Sequence, residues 1–439
     1  MKPISVFEHE AIREPLSDSE TNAVEKLRGP DLNRQKMFDV GWHGEVTATS
    51  FVGVVQLGPR TVQVLPKMHR ADLPASECER QATANLLYLL SYTGKLRVTE
   101  PEISRLTEKA APLSEILYWI FARRLWSAVR RELLRGYVSV EARFDVMKGR
   151  WLVAAQAQRS DGWRRDRFDV AYDEFTEDNL PNRVFNATVL RLSRWATWSE
   201  TRSHLAQLRS AFADVADVKP RPKDFLEAAQ WMQRYHRRAG NGQLYRPLLE
   251  LARMFWAGAG PQPSPGRLEA FAFMFDMNEL FEEFIAEFIR REMRELWQEQ
   301  AGWDMHVQRE NRACLWYESC EPRFWLHPDV RFADKKGSSV LIIDTKYKEL
   351  TADRQKWVSD EDARQMHAYS HRFDCQRVVL LYPQFAEKIA VDFSADADLP
   401  HRLEVRTVDL KLELMREKMG LRDELAHVLL SANNTEIES

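Results

Sequence analysis

The chain has 439 residues, 44% of them hydrophobic and 29% charged, which is an ordinary globular composition. That length exceeds one small core and suits two or three domains. A net charge of −3 and a pI near 6.5 exclude a globally basic, histone-like protein, so any contact with a polyanion has to come from local patches. The opening "MKPISVFEHEAIREPLSDSE" has no apolar core before a cleavage site, and no stretch reaches the ~18 apolar residues of a membrane span; the expectation is a cytoplasmic protein without a membrane partner. Cys78, Cys314, Cys320 and Cys375 lack the paired spacing of a zinc site and read as reduced, partly buried thiols. No G-x-x-x-x-G-K-[ST] occurs, so any nucleotide hydrolysis belongs to a partner.

In chain order, residues 1–110 form a β-rich N-terminal region. Its best signal is "FVGVVQLGPRTVQVLPKM", where the apolar runs Val52 to Leu57 and Val62 to Leu65 flank a turn. That hairpin either enters a partner's pore or completes its own sheet. Residues 111–256 read as mainly helical: in "LSEILYWIFARRLWSAVRREL", Ile116, Leu117, Ile120, Leu125 and Val129 share one stripe while Arg123, Arg124, Arg130 and Arg131 lie elsewhere. Further helices are expected in "NRVFNATVLRLSRWATW" and "YRPLLELARMFW". The basic stretches "RRLWSAVRRELLR", "RSDGWRRDR" and "KPRPK", the first two with interleaved tryptophans, read as solvated faces, with contact to a DNA backbone as the sharper alternative.

"AGAGPQPSPGR", residues 257–267, replaces periodicity with glycine, proline and serine and reads as a linker. Residues 268–413 then predict a long helix in "MFDMNELFEEFIAEFIRREMRELW" and strands at "WDMHVQ", "ACLWYE", "FWLHPDVRF" and "VLIIDTKY". A helix at "DEDARQMHAYSHRF" follows, then strands at "RVVLLYP", "KIAVDF" and "LEVRTV", giving a mixed sheet flanked by helices. A C-terminal helix and tail, residues 414–439, complete a multidomain α/β protein, with "SANNTEIES" expected to be disordered.

The apolar run "VLIID" should reject charge, yet it ends in Asp344 and is followed by Lys346, which shares its face of the strand while Thr345 points away. A buried carboxylate is tolerated when it is paired or binds a metal. Asp329, after Pro328, closes another apolar run, and a hairpin through "ADKKGSS" brings the two acids together. Two convergent carboxylates and a lysine suit Mg²⁺, which takes few protein ligands and completes its shell on phosphate oxygens. The chemistry this set serves is phosphodiester hydrolysis. Taken singly, Asp329 reads as a turn cap and Lys346 as a strand-end cation reaching for water; His327 reads as a histidine at the edge of the core.

Pro328–Asp329 followed by "DTK", Asp344 to Lys346, resembles the PD-(D/E)xK nuclease motif. "QMHAY" is similar to the Q-x-x-x-Y signature that follows it, with Gln365 and Tyr369 on one helix face. The blocks "VGVVQLGPRTVQVLPK", "KGRW", "EDNLPNRVFNATV" and "MNELFEEFI" come in the order seen in the McrC family, nuclease subunits of McrBC-type modification-dependent restriction systems. The resemblance implies a restriction-endonuclease-like C-terminal domain that cuts methylated double-stranded DNA with Mg²⁺. It also implies an N-terminal part that engages a McrB-like AAA+ GTPase hexamer and stimulates its hydrolysis. Asp329, Asp344, Lys346, Gln365 and Tyr369 carry over as catalytic residues. Asp329 and Asp344 also carry over as metal ligands, with Glu282, on the helix before the sheet and nearer its apolar stripe than Glu283, as the further metal ligand. The other readings are a stand-alone or DNA-repair nuclease and a non-catalytic adaptor that stimulates a motor.

Overall fold

The computed structural model describes residues 3–27, 35–109, 111–164, 166–235, 242–256, 270–307, 311–318, 321–350, 358–394 and 401–430. The expected linker at 257–267, the tail from residue 431 and Cys320 lie outside them. The fold is multidomain α/β, and the chain divides into two compact units that cut across the segments read from the sequence: residues 55–61 with 112–273, and residues 2–54 with 62–111 and 274–439.

The first unit is mainly helical. Leu113–Arg131 buries the expected stripe, Ile116, Leu117, Ile120, Leu125 and Val129, while Arg123, Arg130 and Arg131 stay exposed. Leu180–Leu192 begins at Asn179, whose side chain accepts from the Asn182 N–H at 3.2 Å and so satisfies one of the helix's unpaired amides. Ser199–Ala211 packs on Leu113–Arg131, and Pro222–Tyr235 and Gly242–Trp256 pack on Leu180–Leu192. This segment also holds an antiparallel sheet, Gly136–Phe144, Phe168–Thr176 and Arg150–Trp151, outside the mainly helical expectation. The turn at Gly58 to Thr61 completes its own sheet: Phe51–Leu57 is buried throughout, and Gln56 donates to the Gly58 carbonyl and accepts from the Thr61 hydroxyl, both at 2.8 Å.

The second unit is built on a six-stranded mixed sheet in the order Asp304–Val307, Val330–Ala333, Ser339–Thr345, Arg377–Pro383, Arg402–Val408, Ala390–Ser394. Ser339–Thr345 pairs antiparallel with Val330–Ala333 and parallel with Arg377–Pro383. The Asp360–Arg372 helix makes the parallel crossover and packs on both of its strands, and Met277–Glu292 also packs on Ser339–Thr345. The expected β-rich start contributes strand Ile4–Phe7, which pairs parallel with Val62 to Leu65, but also the helices Ala75–Tyr92 and Glu100–Glu108. Ala75–Tyr92 packs on Met277–Glu292, where Tyr92 donates to Glu292 at 2.7 Å.

Two expected elements are broken. "FWLHPDVRF" is not one strand: Glu321–Leu326 pairs with Ala313–Glu318 in a separate hairpin, and Val330–Ala333 starts only after Pro328, which has no N–H for a ladder. The long helix expected from "MFDMNELFEEF" starts at Met277, because "AFAFMFD" is strand Ala270–Asp276 and Asp276 caps the helix through the Asn278 N–H at 2.9 Å.

Candidate active site

The register that pairs Val330 with Ile343 places Asp329 opposite Asp344, at the mouth of a hairpin closed by Asp334 to Ser338. Gly337 supplies the left-handed turn residue there, at φ +87°, and Asp334 Oδ1 accepts from the Lys336 and Ser338 amides at 2.8 and 2.9 Å. Hairpin and Pro328 together hold both acids at one end of the sheet. Asn311, itself buried, donates to the Pro328 carbonyl at 3.2 Å and accepts from Arg331 at 2.7 Å, fixing the approach to Asp329.

Asp329 is 9% exposed and Asp344 2%. Asp329 Oδ2 accepts from both the backbone N–H and the hydroxyl of Thr345, at 2.6 and 2.8 Å. Thr345 was expected to point away; the carboxyl of Asp329 reaches over the strand end to meet it. Burial, with the charges of Asp344 and Glu282 behind it, still lifts the Asp329 carboxyl well above the usual carboxylate range. Burial also raises Asp344, against the opposing pull of Lys346.

The Lys346 ammonium lies 2.7 Å from Asp344 Oδ2. It approaches off the axis of a hydrogen bond, so that buried oxygen keeps no aligned donor among the described residues. Burial alone would depress the lysine, but the charges of Asp344, Asp329 and Asp362 together outweigh it and the net direction is upward, which favours the protonated amine. Its Nζ donates to Gln365 Oε1 at 3.1 Å, Gln365 Nε2 donates to the Tyr369 hydroxyl at 2.7 Å, and that hydroxyl donates to the His327 carbonyl at 3.1 Å. The i and i+4 spacing of the Asp360–Arg372 helix thus continues the polar chain from the lysine to the backbone beside Pro328. His327 is exposed and enters the site through its carbonyl alone.

The structure brings Asp329, Asp344, Lys346, Gln365 and Tyr369 together. Glu282 is half-buried and close enough for its charge to act on Asp329, whereas Glu283 is occupied by Lys95 at 2.8 Å. Sequence reasoning missed Thr345, the Lys348–Asp362 ion pair behind Lys346, and Glu8, which meets Tyr347. The only signals were the hydroxyl inside "DTK" and the second lysine two places on. Cys78, Cys314 and Cys375 are buried free thiols. Among the described residues no three His, Cys, Asp or Glu side chains enclose an ion by themselves, and no helix is long and apolar enough to cross a membrane. A hard cation that takes few protein ligands nonetheless fits here. Two carboxyls stand face to face, a third acts on Asp329 through its charge, and one buried oxygen lacks an aligned donor.

Fold and site define an α/β protein with a carboxylate–lysine centre at the strand ends of a mixed sheet. The family model of the McrBC 5-methylcytosine restriction system component matches residues 46–383, and the chain belongs to that family. The chain is also similar to a solved structure described as a half-complex from a tetradecameric assembly of Thermococcus gammatolerans McrB AAA+ hexamers with bound McrC. That match has 20% identity and a TM-score of 0.65 and covers 97% of this chain and 100% of the other. A second similar structure, the Thermococcus gammatolerans McrBC complex, has 22% identity and a TM-score of 0.45 over 66% of this chain and 88% of that one. No curated protein matches the chain.

Proposed function

We propose that this chain is the Mg²⁺-dependent endonuclease subunit of a McrBC-type restriction system, cutting methylated double-stranded DNA when driven by an AAA+ GTPase whose hydrolysis it stimulates. The observation that carries this reading is the pairing of Asp329 with Asp344 beside the charged Lys346, in a member of a restriction-system family. Asp329 and Asp344 would hold Mg²⁺, which supplies Lewis acidity toward a phosphodiester, while Glu282 acts on the site through its charge on Asp329.

The chain's own groups do the rest. Lys346, protonated and fixed by Asp344 and Gln365, offers hydrogen bonds to charge that builds on the phosphate. Gln365 and Tyr369 hold the lysine's position, and Thr345 orients Asp329. For the motor, the sheet of Gly136–Phe144 and Phe168–Thr176 exposes Tyr137 and Phe175 by 57% and 59%, with ring centroids 5.2 Å apart. Such an open aromatic pair supports that sheet as the face that meets the GTPase.

The test is cleavage of cytosine-methylated plasmid with Mg²⁺, GTP and the cognate AAA+ partner, comparing wild type with Asp344→Ala and reading GTP turnover in the same tubes. The expected result is that wild type cuts, the variant does not, and both raise turnover. If both raise turnover and neither cuts, the nuclease reading fails and the chain is an adaptor.

A further inference from the structure

A cleft of about 380 Å³ lies in the helical unit, lined by Arg123, Trp126, Ser127, Arg130 and Arg131 of the Leu113–Arg131 helix and His204 of the neighbouring Ser199–Ala211 helix. The first four of these residues fall at i, i+3, i+4 and i+7, so they form one stripe on the side of the helix that its apolar core leaves out. No carboxylate lines the cleft. Arg130 and Arg131 are exposed, and neither makes an ion pair among the described residues. Arg123 lays its guanidinium over the Trp119 ring at 4.7 Å, which holds it at the rim. His204 Nδ1 is buried without a hydrogen-bond partner among the described residues, and burial lowers this imidazole's pKa, with Arg123 acting the same way and Glu200 against them. A chain with a net charge of −3 has thus gathered three arginines around one concavity with no acid in its wall.

We infer that this cleft is a second DNA-contact site, which grips consecutive phosphates of one strand of the duplex. The inference rests on the reading of the protein as a DNA nuclease. Guanidinium forks match phosphate oxygens two at a time. From Arg123 to Arg131 the stripe rises about 12 Å along the helix, the axial length of three to four phosphates on one strand. That length fits a polymer backbone better than a single phosphate or a mononucleotide. Trp126 offers an apolar wall for the sugar between phosphates, and Ser127 and His204 add polar groups to the lining. With no group aimed at a base edge, binding here is independent of sequence.

The test uses the full chain carrying Asp344→Ala in metal-free buffer, with and without R130Q/R131Q, and a labelled duplex of about 30 base pairs followed by fluorescence anisotropy across a salt series. Two lost phosphate contacts predict at least a tenfold weaker Kd at low salt and a log–log salt slope shallower by about 2. R130K/R131K, which keeps the charge, should restore the slope but only part of the affinity. Thermal melts of each variant confirm folding. An unchanged Kd and slope in folded R130Q/R131Q overturns the assignment. If that variant instead loses only its stimulation of the GTPase, the cleft receives an acidic protein and the assignment is again overturned. Cleavage by the chain with wild-type Asp344 separates the two readings: cutting with an unchanged slope refutes only the cleft, and no cutting with a reduced slope refutes only the nuclease.

Discussion

Tyr347, the residue after Lys346, donates its hydroxyl at 2.5 Å to Oε1 of Glu8, 339 positions earlier in the chain. The Lys67 N–H donates to the same oxygen at 2.8 Å, and burial pushes the Glu8 carboxyl up from its ordinary 4.5 to about 7. The folded-state value lies above the unfolded one, so the stability tied to this proton is fully present below about pH 4.5 and is lost as pH rises through about 7. The shift corresponds to about 3 kcal/mol. Glu8→Gln keeps an acceptor for Tyr347 and Lys67 and removes the ionisation. Urea unfolding should show wild type losing stability relative to Glu8→Gln between about pH 5 and pH 8. A constant difference across that range refutes the titration.

Among the described residues Lys346 is the one cation paired with Asp344, 2.7 Å from a carboxyl that is 2% exposed. Lys346→Met therefore leaves Asp344 and Asp329 buried together without that counter-charge. Breaking a fully buried pair costs about 3–5 kcal/mol, and because the lysine side chain is 27% exposed the expectation here is about 2 kcal/mol. The loss should grow as pH rises and the two acids, both raised by burial, are made to ionise, and shrink as pH falls and protonation relieves them. Cleavage should fall by about two to three orders of magnitude, as for loss of one preorganised donor. Denaturant midpoints at two pH values and single-turnover cleavage check the two halves separately. Equal destabilisation at both pH values would mean that the lysine supports packing and not charge.

Much of this site was legible because its signals are local. Asp344 and Lys346 stand two apart at a strand end, and Gln365 and Tyr369 stand four apart on a helix; both spacings fix a shared face before any tertiary contact is known. The turn through "ADKKGSS" carries its own instruction in Asp334 and Gly337. Glu8 was not legible, since nothing around it in the chain distinguishes it from a solvated acid, and only the folded sheet brings it to Tyr347. The antiparallel sheet from Gly136 to Thr176 went unread although Val138, Val140, Ala142 and Phe144 alternate with Ser139, Glu141 and Arg143; the partner strand Phe168–Thr176 mixes acids and aromatics without that alternation and gave no matching signal. The boundary at Pro328 was written in the sequence and overruled by the apolar residues on either side of it.

Gly149 in "KGRW" sits at φ +76°, and a Cβ there would lie 2.4 Å from the Ala171 carbonyl oxygen of the facing strand. Backbone cannot yield as a flexible side chain can, so Gly149→Ala should cost about 2 kcal/mol or more and shift Arg150–Trp151 off its partner strand. Lys148, whose ammonium rests 3.8 Å from the Tyr172 ring centroid, would move with it. Limited proteolysis should show faster cutting between Phe144 and Phe168 in the variant. Stimulation of the AAA+ partner should weaken if this sheet is the docking face. Faster proteolysis with full stimulation would move the docking face elsewhere.

Arg377 and Glu404 form the most enclosed ion pair of the mixed sheet, on neighbouring parallel strands. Two hydrogen bonds of 2.5 and 2.9 Å join guanidinium to carboxylate, and the same arginine donates to the Leu429 and Val428 carbonyls at 3.0 and 2.6 Å. Those two carbonyls belong to the last turn of the Lys418–Leu430 helix, where no intrahelical N–H remains to satisfy them. The arginine thus closes the helix end against the sheet, while Arg406 gives Glu404 a second cation at 3.0 Å. Arg377→Met leaves Glu404 buried and both carbonyls without that donor, for an expected loss of about 3–5 kcal/mol. Arg377→Met with Glu404→Leu removes the carboxylate then left to Arg406 alone, and should recover part of that loss because an apolar pair of similar volume is often as stable as a buried ion pair. A double-mutant cycle on urea midpoints reads the coupling directly. If the double variant is no more stable than Arg377→Met, the arginine's main contribution is the capping of the helix end and not the pairing with Glu404.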